Sequence, residues 1–329
     1  MSFITGYLAV YAPASALNNG KGEDNIGQVK AVRVGAREYP YATAQAFRYW
    51  LRDTMAQLLP DWPASPIYRS GAGARQQAFT EGNPLRYWDD DLFGYMRAES
   101  AKNGEGGTFT RVAPFRTATL VSAAPAEIVR DFGVMARGEG NPVLHGHEFY
   151  RATLAAAFSI DLRMVGTFTS HSRTGYLNLS PSQQKLAREW NLEEVRIGDH
   201  TALRLPLETR LERVRALLYA LGRLTGGAKQ TLHYTDVSPV FVCMAVLKGG
   251  NNPFNFLLAP TPQPSLHQGA LDEALSIYAE DYLSRVYVGL RQGFADDMRP
   301  LLEARQLHVE HPRQAFDQLS HDLRAEWMV

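Results

Sequence analysis

The chain has a single cysteine, Cys243, which excludes an internal disulfide framework and any zinc site built from several cysteines. Long apolar runs are also missing. The longest, Val240 to Leu247, falls well short of the roughly 18 residues that a membrane-crossing helix requires, so no membrane partner is expected. The apolar opening from Phe3 to Ala12 is preceded by no lysine or arginine; no secretory leader is expected, and a cytoplasmic location is. Catalytic signatures are lacking too. There is no G-x-S-x-G elbow, no H-E-x-x-H pair and no G-x-G-x-x-G turn after a strand. The nearest approach to a phosphate loop, Gly222 to Gln230, follows a helical pattern, places Ala228 before Lys229, and has Gln230 where Ser or Thr would stand. His145-Gly146-His147-Glu148 has no third ligand at recognisable metal spacing and reads as the polar lead-in to a helix, and Asp89-Asp90-Asp91 reads as a solvated turn. No catalytic residue, metal or cofactor is expected.

What is present is a folded chain of 329 residues, 45% of them hydrophobic, long enough to bury a substantial core. Its zero net charge averages unlike parts: residues 1–250 carry an excess of five basic groups, and residues 251–329 an equal excess of acidic ones. Of the 34 basic residues 28 are arginine, the better residue for forked phosphate contacts and for stacking on bases.

Residues 3–11 carry apolar side chains on both parities, Phe3, Tyr7, Ala9 and Tyr11 against Ile4, Leu8 and Val10, as in a strand covered on both faces. An Asn- and Gly-rich loop follows from Asn18 to Asn25, and strand character resumes from Val29 to Val34 and ends at Pro40. Thr43 is placed to cap a helix over 44–59 that Pro60 stops, with Phe47, Leu51, Thr54 and Leu58 on its apolar face. Gln45, Arg48 and Arg52 share another face, where two arginines near the N-terminus oppose the helix dipole and point to something external. Residues 60–110 read as a polar, Gly- and Pro-rich insertion, 112–122 as a strand beside Arg111 and Arg116, 148–159 as a short helix, and 162–168 as a strand. Residues 168–204 form a second insertion, 207–224 an amphipathic helix stopped by Gly226-Gly227, 240–247 a buried strand, and 271–307 an interrupted helical stretch.

The basic residues cluster. Lys30, Arg33 and Arg37 precede the helix bearing Arg48 and Arg52, with Glu38 the sole acid between residues 25 and 52. A second acid-free stretch, 213–235, joins the Gly226-Gly227 pair to Lys229, His233 and Tyr234. Backbone amides at a glycine turn, a lysine and neighbouring aromatics suit a nucleic-acid backbone with unstacked bases.

Ser15 to Asn19, Val29 to Arg33, Tyr39 to Arg52, Asp90 to Met96 and Gly226 to Pro239 together resemble the DevR/Cst-two autoregulator family, the Cas7-type (RAMP superfamily) backbone subunit of type I-B CRISPR effector complexes. The resemblance runs over most of residues 1–260, and the acidic C-terminal part matches less distinctively. It implies an α+β fold with a ferredoxin-like, RRM-like palm spanning 1–329, finger insertions over about 60–110 and 123–147, a thumb over 168–204, and a C-terminal helical part over 271–329. It further implies copies stacked into a helical filament along one CRISPR RNA, with target DNA reached through the guide and five-type, six-type, eight-type large and small Cascade subunits as partners. The residues then expected at the RNA are Asn18, Asn19, Lys21, Lys30, Arg33, Thr43, Gln45, Arg48, Arg52, Arg111, Arg116, Gly226, Gly227, Lys229, Gln230 and His233. Two alternatives stand beside this: a type III-like backbone ribonuclease, for which Asp24 would be the acid, and a stand-alone RNA-binding regulator.

Overall fold

The alternation in the first strand, Ser2–Ser15, decides the architecture. In a computed structural model that describes residues 1–19, 22, 26–71, 76–99, 107–135, 141 and 143–329, this strand lies between two antiparallel partners, Val143–Asp161 and Phe241–Lys248. Ile4, Leu8 and Val10 enter one core, and Tyr7 and Ala9 enter another on the opposite face of the sheet. Both faces are covered, as the two-parity pattern demands. Buried Cys243 lies within the second core, on Phe241–Lys248.

The helices are α1 (Ala44–Leu58), α2 (Trp88–Phe93), α3 (Pro181–Glu189), α4 (Leu207–Leu221), α5 (Gln268–Ile277), α6 (Met298–Glu303) and α7 (Pro312–His321). Helices α1, α4 and α7 cover the first core through Phe47, Trp50, Leu51, Leu217, Leu221 and Phe316. Residues 254–309, including α5 and α6, cover the second through Phe254, Leu271, Met298 and Leu302. The main sheet runs in the order Val309–Glu310, Tyr287–Leu290, Phe241–Lys248, Ser2–Ser15, Val143–Asp161, Leu120–Ser122, Arg37–Ala42, Ala31–Val34. The long strand Val143–Asp161 also pairs with Ile128–Met135 and Phe115–Thr117, and in parallel with Ile26–Gly27.

Several sequence expectations change here. Residues 148–159 are strand, not helix: Ala-rich composition favours a helix locally, but Tyr150, Ala152, Leu154, Ala156 and Phe158 alternate into one core, and strands on either side supply hydrogen bonds. Pro40 lies inside the strand Arg37–Ala42, with its nitrogen needing no donor role, rather than ending it. Residues 112–122 divide into Phe115–Thr117 and Leu120–Ser122, and 162–168 is mainly turn before Thr167–Thr169. Helix α4 ends at Leu221, ahead of the glycine pair, and Leu58 is exposed. The described part of 123–147 contributes the strand Ile128–Met135 to the main sheet, and 271–329 interleaves helices with the strands Tyr287–Leu290 and Val309–Glu310.

The described parts of 60–110 and the segment 168–204 pack into one lobe. Leu85 joins Phe168, Leu179, Ala187 and Leu205 in a separate core, and Asn178 bonds Thr110 while Gln183 bonds Gly82. The aspartates expected in a solvated turn are buried at the root of this lobe. Asp91 accepts from Arg111, from Arg213 at 2.5 Å and from the Gly166 amide at 2.9 Å. Asp89 accepts from the Ser65 amide at 2.9 Å and from Arg52 at 3.2 Å, and burial followed by the neighbouring Asp90 raises its pKa. Among the described residues, no helix is long and apolar enough to cross a membrane.

Candidate nucleic-acid interface

Three segments distant in sequence meet at the edge of the sheet where Ser15 pairs with Tyr150: residues 16–19 and 26–30, helix α1, and the loop 222–235. Helix α1 starts where expected, with Thr43 Oγ1 accepting from the Ala46 amide at 3.1 Å, so the Thr43 hydroxyl is a helix cap. The loop is tied to α1 by the Thr225 amide donating to Thr54 Oγ1 at 2.9 Å, and to the first segment by the Ala228 amide donating to Leu17 O at 2.9 Å. Gly226 has φ +136°, and a Cβ there would lie 2.6 Å from the Trp50 ring; only glycine lets the loop lie this close to the helix. Gln230 holds the loop closed, accepting from the Thr235 amide at 2.9 Å and donating to Gly226 O and Thr235 O. Its amide is an internal staple rather than a free group for RNA.

Lys229 reaches across to the strand Ile26–Gly27, its Nζ lying 2.7 Å from where a Gly27 Cβ would stand. Lys30 donates its amide to Asn18 O, and Asn18 lines a groove with Tyr49, Trp50, Gly226, Gly227 and Gln230. Gln45 is exposed on the first turn of α1, and Arg48 is half-buried one turn on. Among the described residues, no carboxylate forms an ion pair with Lys30, Arg48 or Lys229. These three cations carry no internal neutralisation.

Other expected contacts are placed elsewhere. Arg33 forms an exposed pair with Glu38 at 2.6 Å. Arg52, read as pointing outward, lies over the Phe93 ring and holds buried Asp89, which resolves the apparent conflict with the helix dipole. Arg111 is internal: its guanidinium bonds Asp91, Thr167 O at 2.9 Å and Met164 O at 2.8 Å, and lies over Phe168. A buried charge needs every partner it has, so Arg111 is a structural residue. Arg116 is exposed but pairs opposite Ser159, about 40 Å along the long strand from His147 at 3.3 Å per residue. Lys21 and Asp24 lie outside the described residues.

The sequence reading missed part of the site. Because 143–161 is a strand, His145, His147 and Phe149 share one face, and the His233 ring packs 5.4 Å from His147 and 5.2 Å from Phe149. Their spacing of two was the available signal. Tyr49 on α1 and Tyr234 on the loop are strongly exposed. Burial, then His147 and Lys229, lower the pKa of His233. Four buried polar atoms at this junction have no hydrogen-bond partner among the described residues: Asn18 Nδ2, Asn19 Oδ1, His147 Nδ1 and His233 Nε2. Such orphans are uncommon in a folded protein and leave hydrogen-bonding capacity here open to a ligand or water. No group of three or more metal-ligating side chains gathers among the described residues.

The family described as CRISPR-associated negative auto-regulator DevR/Csa2 matches the sequence over residues 6–263. Curated proteins yield no match. Among solved structures, one described as a CRISPR RNA-guided surveillance complex, pre-nicking, contains a chain that superimposes with a TM-score of 0.61 at 10% identity, covering 97% of this chain and 99% of that one. Another, a CRISPR RNA-guided surveillance complex, gives a TM-score of 0.54 at 14% identity, covering 97% and 98%. At these identities the likeness is one of fold.

Proposed function

Because the chain belongs to the DevR/Csa2 family, we propose that it is a Cas7-type backbone subunit of a type I-B Cascade effector, binding the guide CRISPR RNA and presenting it to target DNA. The observation that carries this reading is the meeting of Asn18, helix α1 and the loop Thr225–Gln230 in one groove, with Lys30 tied to Asn18 through its amide and Lys229 reaching Gly27, from segments about 200 residues apart. Cations without an ion-pair partner on these segments offer contacts for a polyanion, and phosphate contacts of this kind confer affinity without sequence preference. Specificity then belongs to guide–target pairing.

The topology supports a ferredoxin-like palm. The strands Phe241–Lys248, Ser2–Ser15, Val143–Asp161 and Leu120–Ser122 are neighbours in that order, with α1 and α4 as the two helical crossings on one face. In this reading the lobe made by 60–110 and 168–204 serves as the fingers. The hairpin Ile128–Met135/Val143–Tyr150 projects beyond the palm, and exposed Phe132 and Val134 fit it for wedging against a neighbouring copy. We therefore assign the thumb to this hairpin, in place of 168–204. The role is binding rather than catalysis, exercised in the cytoplasm as part of a helical assembly with the other Cascade subunits.

The test is to co-express the chain with a CRISPR RNA and examine the product by electron microscopy and RNA protection mapping. Helical stacks with regularly spaced accessible nucleotides are expected. Discrete monomers on RNA would support a stand-alone regulator. Particles free of RNA, even with the other effector subunits supplied, would overturn the reading.

A further inference from the structure

The loop 222–235 and the long strand place two imidazoles and a lysine ammonium together: His147 and His233 with ring centroids 5.4 Å apart, and Lys229 beside the strand Ile26–Gly27 that pairs with His147. The His147 side chain is more than nine-tenths buried, and its Nδ1 has no hydrogen-bond partner; His233 Nε2 is likewise buried and unpartnered. A neutral imidazole has one donor and one acceptor nitrogen, an imidazolium two donors. Without a ligand, a second positive charge here is opposed by burial and by Lys229.

We propose that His147, His233 and Lys229 form a proton-coupled phosphate site, in which a backbone phosphate of bound RNA is accompanied by uptake of a proton onto the histidine pair. This rests on the reading of the chain as an RNA-binding subunit and adds to it a stoichiometric proton. A phosphate is an acceptor only, so it favours the doubly donating imidazolium and offsets repulsion from Lys229.

Among the described residues, the charged and titratable groups facing the pair are few. From the hairpin, Asp131 Oδ2 lies 3.7 Å from His147 Nε2; from the same strand, His145 stacks on His147 at 6.2 Å; from the loop comes Lys229. Glu148 points to the other face of the strand, where it accepts from Arg130 at 3.0 Å and from the Val29 amide at 3.2 Å. Asp131 is largely exposed, so it tempers the lysine without neutralising the site. The lowered pKa of His233 agrees in direction: the imidazole is held neutral in the free protein, and an added anion reverses that.

Linkage sets the sign. If binding takes up protons, affinity rises as pH falls, by up to about tenfold per pH unit for each proton. The probe is an oligouridylate RNA, whose bases do not titrate between pH 5.5 and 8, with the full-length chain at constant ionic strength. Wild-type affinity is expected to tighten several-fold over this range, and calorimetry in buffers of different ionisation enthalpy to show net proton uptake. A His147→Gln, His233→Gln double variant is expected to lose the slope, whatever its affinity at pH 8, whereas His321→Gln, at a remote exposed position, keeps both affinity and slope. A flat wild-type profile with no proton uptake overturns the proposal while leaving RNA binding in place, as does a double variant that keeps the slope. Absence of RNA binding at every pH removes the RNA-guide reading itself. Since the calorimetric measurement uses wild-type protein, it decides the matter even where the double variant fails to fold.

Discussion

Asp91 is fully buried between two arginines brought from distant segments, Arg111 and Arg213, and both guanidiniums are completed by backbone carbonyls of the lobe and its root. Removing one member of such a network leaves uncompensated buried charge, typically costing about 3–5 kcal/mol. Asp91→Ala is expected to lose stability of that order in urea unfolding near neutral pH; a wild-type midpoint would show that the network does not hold the lobe. The residue scale is also where sequence reading is weakest. Arg48 and Arg52 are indistinguishable by spacing on a helix, yet one is unpaired and the other is committed to Asp89. Local sequence carries a charge but not its partner, and the partner is 37 residues away.

At the scale of elements, the link between the loop 222–235 and α1 governs the interface. Gly226 allows contact with Trp50, and Thr54 receives the Thr225 amide one turn along the same helix. Gly226→Ala forces an unfavourable φ and a clash with a packed indole. The expected cost is about 1–3 kcal/mol, the range for strained backbone. Because strain is relieved by moving the loop away from the helix, RNA affinity should fall several-fold at a salt concentration where wild type is half-bound. Fluorescence anisotropy reads this directly, and unchanged affinity in a folded variant would show that the loop position does not matter to binding. Helix α1 was legible because its signals are local: the Thr43 cap, the apolar spacing and the Pro60 stop. The strand over 148–159 was not, because alanine-rich sequence favours a helix until two neighbouring strands are available to pair with it.

For the whole molecule, the charge asymmetry acquires a geometry. Residues 254–309 of the acidic C-terminal part, with Asp272, Glu273, Glu280, Asp281, Asp296, Asp297 and Glu303, cover the second face of the sheet, opposite the face that α1 covers. Carboxylates on that opposite face weaken the attraction of a polyanion at the interface less than carboxylates beside it would. Reversing Asp296 and Asp297 to lysine is therefore expected to leave RNA affinity and its salt dependence unchanged. Reversing Arg48 and Lys229 to glutamate should lower the affinity and flatten its salt dependence, by about 0.7 in log–log slope for each phosphate of a single strand that is no longer neutralised. Parallel salt titrations of the two variants make the comparison; a slope that falls with the aspartate pair and holds with the basic pair would place the RNA on the other face.

From the order of residues alone follow the features whose cause is local or periodic: a first strand buried on both sides, a capped helix α1, a buried strand over 240–247, and an acidic C-terminal end set against a basic remainder. Motif order also carried the family. Which charges are external depends instead on how distant segments pack. Burial of the three aspartates turned Arg52 and Arg111 inward, Gln230 became a loop staple, and the strand periodicity of 143–161 placed His147 beneath His233. The physical reason is common to these cases: an ion pair or a ring contact depends on distance in space, and residues separated by more than 80 positions meet at His147 and His233 only because the sheet sets their register.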